Sequence, residues 1–78
     1  EMFNNRIATI VYNSRKDAGL TQKELAELIG TKQSVVARLE DADYYGHSLK
    51  MLRRIAKALN KDLEIVFVDR NDEDQEAA

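Results

Sequence analysis

Residues 19–40 read GLTQKELAELIGTKQSVVARLE, and no other stretch of the chain restricts the fold as tightly. Thr21 and Glu24 stand three apart, directly ahead of an apolar run. That is a capping box, in which the Thr hydroxyl takes a backbone N–H and the Glu carboxylate reaches back. A helix over residues 22–29 follows, with Leu25, Leu28 and Ile29 apolar and the small Ala26 suited to a close helix crossing. Gly30 supplies the positive φ that a tight turn demands. Thr31 then caps a further helix over residues 32–40. Val35, Val36 and Leu39 point inward on it, which leaves Lys32, Gln33, Ser34, Ala37 and Arg38 outward. The segment therefore spells two short helices, a glycine turn between them, and a polar first turn on the second.

The flanking segments complete a mainly α chain. Phe3, Ile7, Ile10 and Val11 recur at helical spacing, so a first helix over residues 4–17 is expected to turn these four side chains to the core. Gly19 suits the left-handed position just beyond its end. Residues 41–47, DADYYGH, lack an apolar period and read as a loop. Ser48 caps a last helix over residues 49–59, with Leu49, Leu52, Ile55, Ala56 and Leu59 on one face and Lys50, Arg53, Arg54 and Lys57 away from it. Asn60 ends it.

Residues 63–68, LEIVFV, are β-branched and aromatic, which favours a strand. Leu63, Ile65 and Phe67 form one face; Glu64, Val66 and Val68 form the other. A lone strand leaves its backbone groups unpaired. With the rest of the chain helical, the economical partner is the same strand of a second copy, making a two-stranded ribbon at a dimer axis. Residues 69–78 are polar and acidic without a large apolar anchor, so a flexible, disordered tail is expected there. The domain reading is a single domain over residues 1–68, ending in the dimerisation strand, followed by that tail.

Composition narrows the function classes. A 78-residue chain buries only about 60% of the surface its unfolded form exposes, so oligomerisation is a natural source of further stability. There is no cysteine, which removes disulfides and thiolate metal sites, and His47 is the only histidine. No nucleophile–base pair, phosphate-binding glycine loop or zinc set is present, so no enzyme, metal or cofactor is expected. His47 itself reads as an ordinary polar loop residue. No apolar run approaches the roughly 18 residues of a membrane span and no signal peptide is visible, so a cytoplasmic protein without a membrane role is expected. The formal net charge of −2 is unevenly placed. Residues 1–68 carry 11 Lys/Arg against 9 Asp/Glu, while residues 69–78 carry one Arg against five Asp/Glu. The body is mildly basic, and affinity for a polyanion depends on where the cations sit.

The two-helix unit has the layout of a helix-turn-helix, whose second helix enters the DNA major groove. Each outward residue on that helix has a base-edge chemistry. Gln pairs with adenine, Arg with guanine, Ser with bases or phosphate, and Ala with a thymine methyl. Lys32, Gln33, Ser34, Ala37 and Arg38 are thus the base-reading candidates. A polar outer face is also what any soluble helix shows, but the capping box and the Gly30 turn fix which face is outward. Thr21, Gln22, Lys23, Tyr44, Tyr45 and Lys50 are the phosphate candidates. Gln22 is further expected to brace Gln33, and one of the two tyrosines is as well suited to packing on the core.

At Gly19-Leu20-Thr21-Gln22, Glu24-Leu25-Ala26, Gly30, Gln33-Ser34 and Leu39-Glu40 the sequence resembles the Cro/repressor-type (XRE) helix-turn-helix family. Ser48-Leu49, Leu52, Ile55-Ala56 and Ala58-Leu59 continue the resemblance, which covers residues 5–60. It departs at Asp41-Ala42-Asp43, where members often carry a glycine. The resemblance implies a compact four-helix domain that dimerises on a near-palindromic operator in double-stranded DNA, with Gln22 on a phosphate and Gln33 and Ser34 facing the groove. A strand directly after the last helix, followed by a short polar tail, is similar to antitoxins of the HigA and HipB types. That resemblance implies a repressor of its own operon that also holds a toxin. A stand-alone phage or plasmid repressor, or an interaction module that no longer reads DNA, remains the alternative.

Overall fold

A computed structural model describes residues 2–70, with side chains from Arg6 onward. Four α-helices follow one another: α1 Met2–Asp17, α2 Gln22–Ile29, α3 Gln33–Leu39 and α4 Leu49–Ala58. Val11 of α1, Leu25, Ala26 and Ile29 of α2, Val36 and Leu39 of α3, and Ile55 of α4 form one buried cluster. Leu20, Val35, Tyr44, Met51, Leu52, Ala58 and Leu59 pack around it. Every helix therefore contributes to a single small core.

The helix ends explain why the segments stop where they do. Thr21 Oγ1 accepts the Glu24 N–H at 3.0 Å and the Glu24 carboxylate accepts the Thr21 N–H at 2.8 Å, so the expected capping box is closed. At the other end of α2, Gly30 takes φ 73°, and the Thr31 N–H returns to the Ala26 carbonyl at 2.8 Å. This six-residue return is the left-handed helix stop. Asn60, at φ 60°, makes the same stop after α4, with the Lys61 N–H on the Ala56 carbonyl. Ser48 caps α4 through the Met51 N–H.

Several expectations are corrected. The helix expected over residues 32–40 with Thr31 as cap begins at Gln33, and Lys32, in extended backbone, is the N-cap without a side-chain hydrogen bond. Ile10 does not face the core: the buried stripe of α1 runs through Ala8, Val11 and Arg15, and Ile10 is 61% exposed. One residue turns a helix by about 100°, enough to carry Ile10 off that stripe. Leu28 and Leu49 are likewise exposed. The side chain of Phe3 lies outside the described residues, as does tail segment 71–78.

The strand expected over residues 63–68 is not formed in the single chain; residues 61–70 have neither helix nor strand. The helical body offers no ladder to pair with, and an unpaired segment has nowhere to send its backbone groups. Leu63, Ile65, Val66, Phe67 and Val68 all stand exposed, Phe67 completely at 102%.

Candidate nucleic-acid interface

The face that α3 presents to solvent follows from what it buries. Val36 and Leu39 enter the core and Val35 packs against it, which leaves Gln33, Ser34, Ala37 and Arg38 exposed, with Lys32 just ahead of them. All five base-reading candidates therefore share the outer side of one helix and its leading turn. Lys23 and Lys50 are also exposed. Thr21 keeps its hydroxyl proton free to donate, because the capping box uses only the oxygen as acceptor.

A buried polar knot ties α3 to the helices behind it. Arg15 sits on the inward stripe of α1, and its Nε donates to Glu40 Oε2 at 2.7 Å while Nη2 donates to Oε1 at 3.0 Å. The two side chains are 8% and 4% exposed. The remaining terminal nitrogen, Nη1, donates to the Leu20 carbonyl at 2.7 Å. Gln22 Nε2 adds a bond to Glu40 Oε1 at 3.1 Å. A two-pronged arginine–carboxylate pair fixes geometry as well as charge. Here it joins the end of α1, the turn before α2, the first residue of α2 and the residue closing α3. The Glu40 hydrogen bond raises the Arg15 pKa against the opposing effect of burial, so the guanidinium stays charged.

Gln22 thus serves the knot rather than bracing Gln33. A carboxylate only accepts, so the Gln22 amide must present its nitrogen to Glu40, leaving the carbonyl oxygen turned away. Sequence reasoning passed over Arg15, although a signal was present. Ala8, Val11 and Arg15 stand at helical spacing on one face, and a cation on an inward stripe needs a carboxylate partner.

The loop after α3 separates its two tyrosines. Tyr44 packs against the core and its hydroxyl donates to the Gly46 carbonyl at 3.1 Å, which engages the proton it would offer a phosphate. A Cβ at position 46 would collide with that ring, which explains a glycine there. Tyr45 is 65% exposed. His47 is not an ordinary loop residue: it is half-buried, meets Tyr44 edge-on, and its Nε2 lies 2.6 Å from the Leu39 carbonyl. It satisfies the last turn of α3, which lacks the left-handed stop of α2 and α4. Arg54 performs a comparable task for α2 by donating to the Ile29 carbonyl.

No helix is long and apolar enough to cross a membrane, and no cluster of three or more His, Asp or Glu is placed to hold a metal, among the described residues.

Residues 11–66 match the model of the family described as Helix-turn-helix. A transcriptional regulator of Methanothermobacter thermautotrophicus, named as an uncharacterized HTH-type protein, is 40% identical over 61 residues, covering 77% of this chain and 87% of its own. A second protein with the same description, from Archaeoglobus fulgidus, is 31% identical over 65 residues, covering 83% of this chain and 91% of its own. With the capping box, the glycine turn and the core register all in place, the chain belongs to the Cro/repressor-type helix-turn-helix family.

Proposed function

We propose that this protein is a sequence-specific, DNA-binding transcriptional repressor. The supporting observation is the outer side of α3, which carries Gln33, Ser34, Ala37 and Arg38 on a helix locked by the Arg15–Glu40–Gln22 knot. A reading helix must keep its orientation while its side chains meet base edges. Lys32 and these four residues read the groove. Thr21, Lys23, Tyr45 and Lys50 hold phosphates, and Gln22 offers its amide from the knot. Tyr44 shapes the loop.

The protein works in the cytoplasm as a homodimer on a near-palindromic operator. Two copies join through Leu63, Ile65, Val66, Phe67 and Val68, whose exposure in the single chain supports a partner there. Occupying the operator blocks polymerase. We further propose that it is the antitoxin of a toxin–antitoxin pair and represses its own operon. The motivation is the composition of residues 63–76, an apolar segment directly after the last helix and then acidic residues.

The test is a gel shift on the DNA upstream of its own gene, with random DNA as competitor and a salt series. Specific binding that weakens linearly in log salt is expected. Equal affinity for random DNA refutes the repressor. Co-purification with the product of an adjacent gene tests the antitoxin role separately, and a neighbouring protein that does not bind refutes it.

A further inference from the structure

Helix α4 and the segment after it enclose an open groove of about 870 Å³, lined by Lys50, Arg53, Arg54, Lys57 and Lys61 together with Leu49, Ala56, Asp62 and Leu63. Five cations line it against one carboxylate, Asp62. The same chain carries its excess of carboxylates just beyond the apolar segment, at Asp69, Asp72, Glu73, Asp74 and Glu76.

We propose that the occupant of this groove is the acidic tail of a second copy, so that the dimer is closed by a reciprocal electrostatic clasp. The inference rests on the dimer through residues 63–68. Antiparallel strands related by a two-fold axis perpendicular to their ribbon keep each side chain on its own face. Odd residues must therefore oppose odd residues. Centring the pair on Ile65 sets Leu63 against Phe67 and Ile65 against its own copy, apolar on apolar. Centring it on Val66 would instead set Leu63 against Asp69. The Ile65 register also places Lys61 opposite Asp69, an attractive pair at each end of the ribbon.

In this register the chain leaving Asp69 of one copy would be directed toward α4 of the other. A fully extended chain would span roughly 10–23 Å from Asp69 to positions 72–76. The α4 stretch from Lys57 back to Arg53, which leaves Lys50 to the DNA, rises only about 6 Å. The tail is therefore long enough to reach the cations of the second copy, whereas reaching its own groove would require the chain to reverse on itself. Charge complementarity chooses this occupant, and exposed pairs of this kind weaken as salt rises.

Sedimentation equilibrium over a salt series tests the clasp, comparing the full chain with the variant Asp72→Asn, Glu73→Gln, Asp74→Asn, Glu76→Gln. At low salt the neutral tail is expected to raise the dimer dissociation constant about tenfold, and the two curves are expected to converge near about 0.5 M salt. Lys57→Glu with Lys61→Glu is expected to weaken the dimer likewise, and adding Glu73→Lys with Asp74→Lys to restore it. A dimer whose affinity is indifferent to the tail at low salt, or tightened by neutralising it, overturns the clasp while leaving the ribbon standing. A chain that stays monomeric at every concentration overturns the ribbon and the clasp together.

Discussion

Arg15 and Glu40 form a buried pair that ties the end of α3 to α1. Breaking a buried ion pair leaves its other member desolvated and uncompensated. Glu40→Ala is expected to lower the unfolding free energy by about 3–5 kcal/mol, measured by urea denaturation. Arg15→Met added to it should recover much of that loss, since a packed apolar side chain no longer demands a partner. If the double variant is no more stable than Glu40→Ala, the loss does not come from a stranded Arg15. Gly30 is a second sensitive position. Its φ of 73° is unfavourable for any side chain, and an added Cβ would meet the Arg54 guanidinium at 3.3 Å. Gly30→Ala should cost about 1–2 kcal/mol, read as a lowered melting temperature. An unchanged melting temperature would mean that the turn relaxes without cost.

At the scale of elements, the caps of α2 and α4 were legible because those boundaries are local chemical events, whereas the start of α3 was not, since Lys32 and not Thr31 is its cap. Thr21 with Glu24, Ser48 and Asn60 act on their own neighbours, and the structure realises all three. What was not legible depends on other elements. Ile10 looks like a core residue until the stripe through Ala8 and Arg15 is fixed by the residue that Arg15 finds across the fold. His47 looks like a loop residue until the end of α3 arrives beneath it. The outer residues of α3 were readable because Val36 and Leu39 set the inward face. Residues 63–68 are the opposite case: their composition favours a strand, but a ladder needs a neighbour that the helical body does not offer, and none forms in the single chain. Charged replacement of both Ile65 and Phe67 is expected to give monomers by ultracentrifugation. A dimer that survives would put the interface elsewhere.

For the molecule as a whole, the proposed dimer would link stability to association, because the core is small and the apolar segment 63–68 is exposed in the single chain. A chain that folds more stably as a dimer melts at a higher temperature when concentrated. The melting temperature should therefore rise with protein concentration in the full chain and lose that dependence in the Ile65/Phe67 charged variant. A melting temperature independent of concentration in both would speak against coupled folding and dimerisation. On DNA, two copies of α3 would sit on successive major grooves roughly 34 Å apart, with the same face reading each half-site. Cations around that face would set the salt slope, while the outer residues of α3 would set the sequence preference.

The most direct test of that division is to measure binding of the full chain and of Gln33→Ala to a series of operators in which every base pair is varied in turn. The predicted result is a loss of about 1–3 kcal/mol of discrimination at one base pair in each half-site, with preferences elsewhere intact. Uniform weakening across all sequences would contradict a base-reading role for α3.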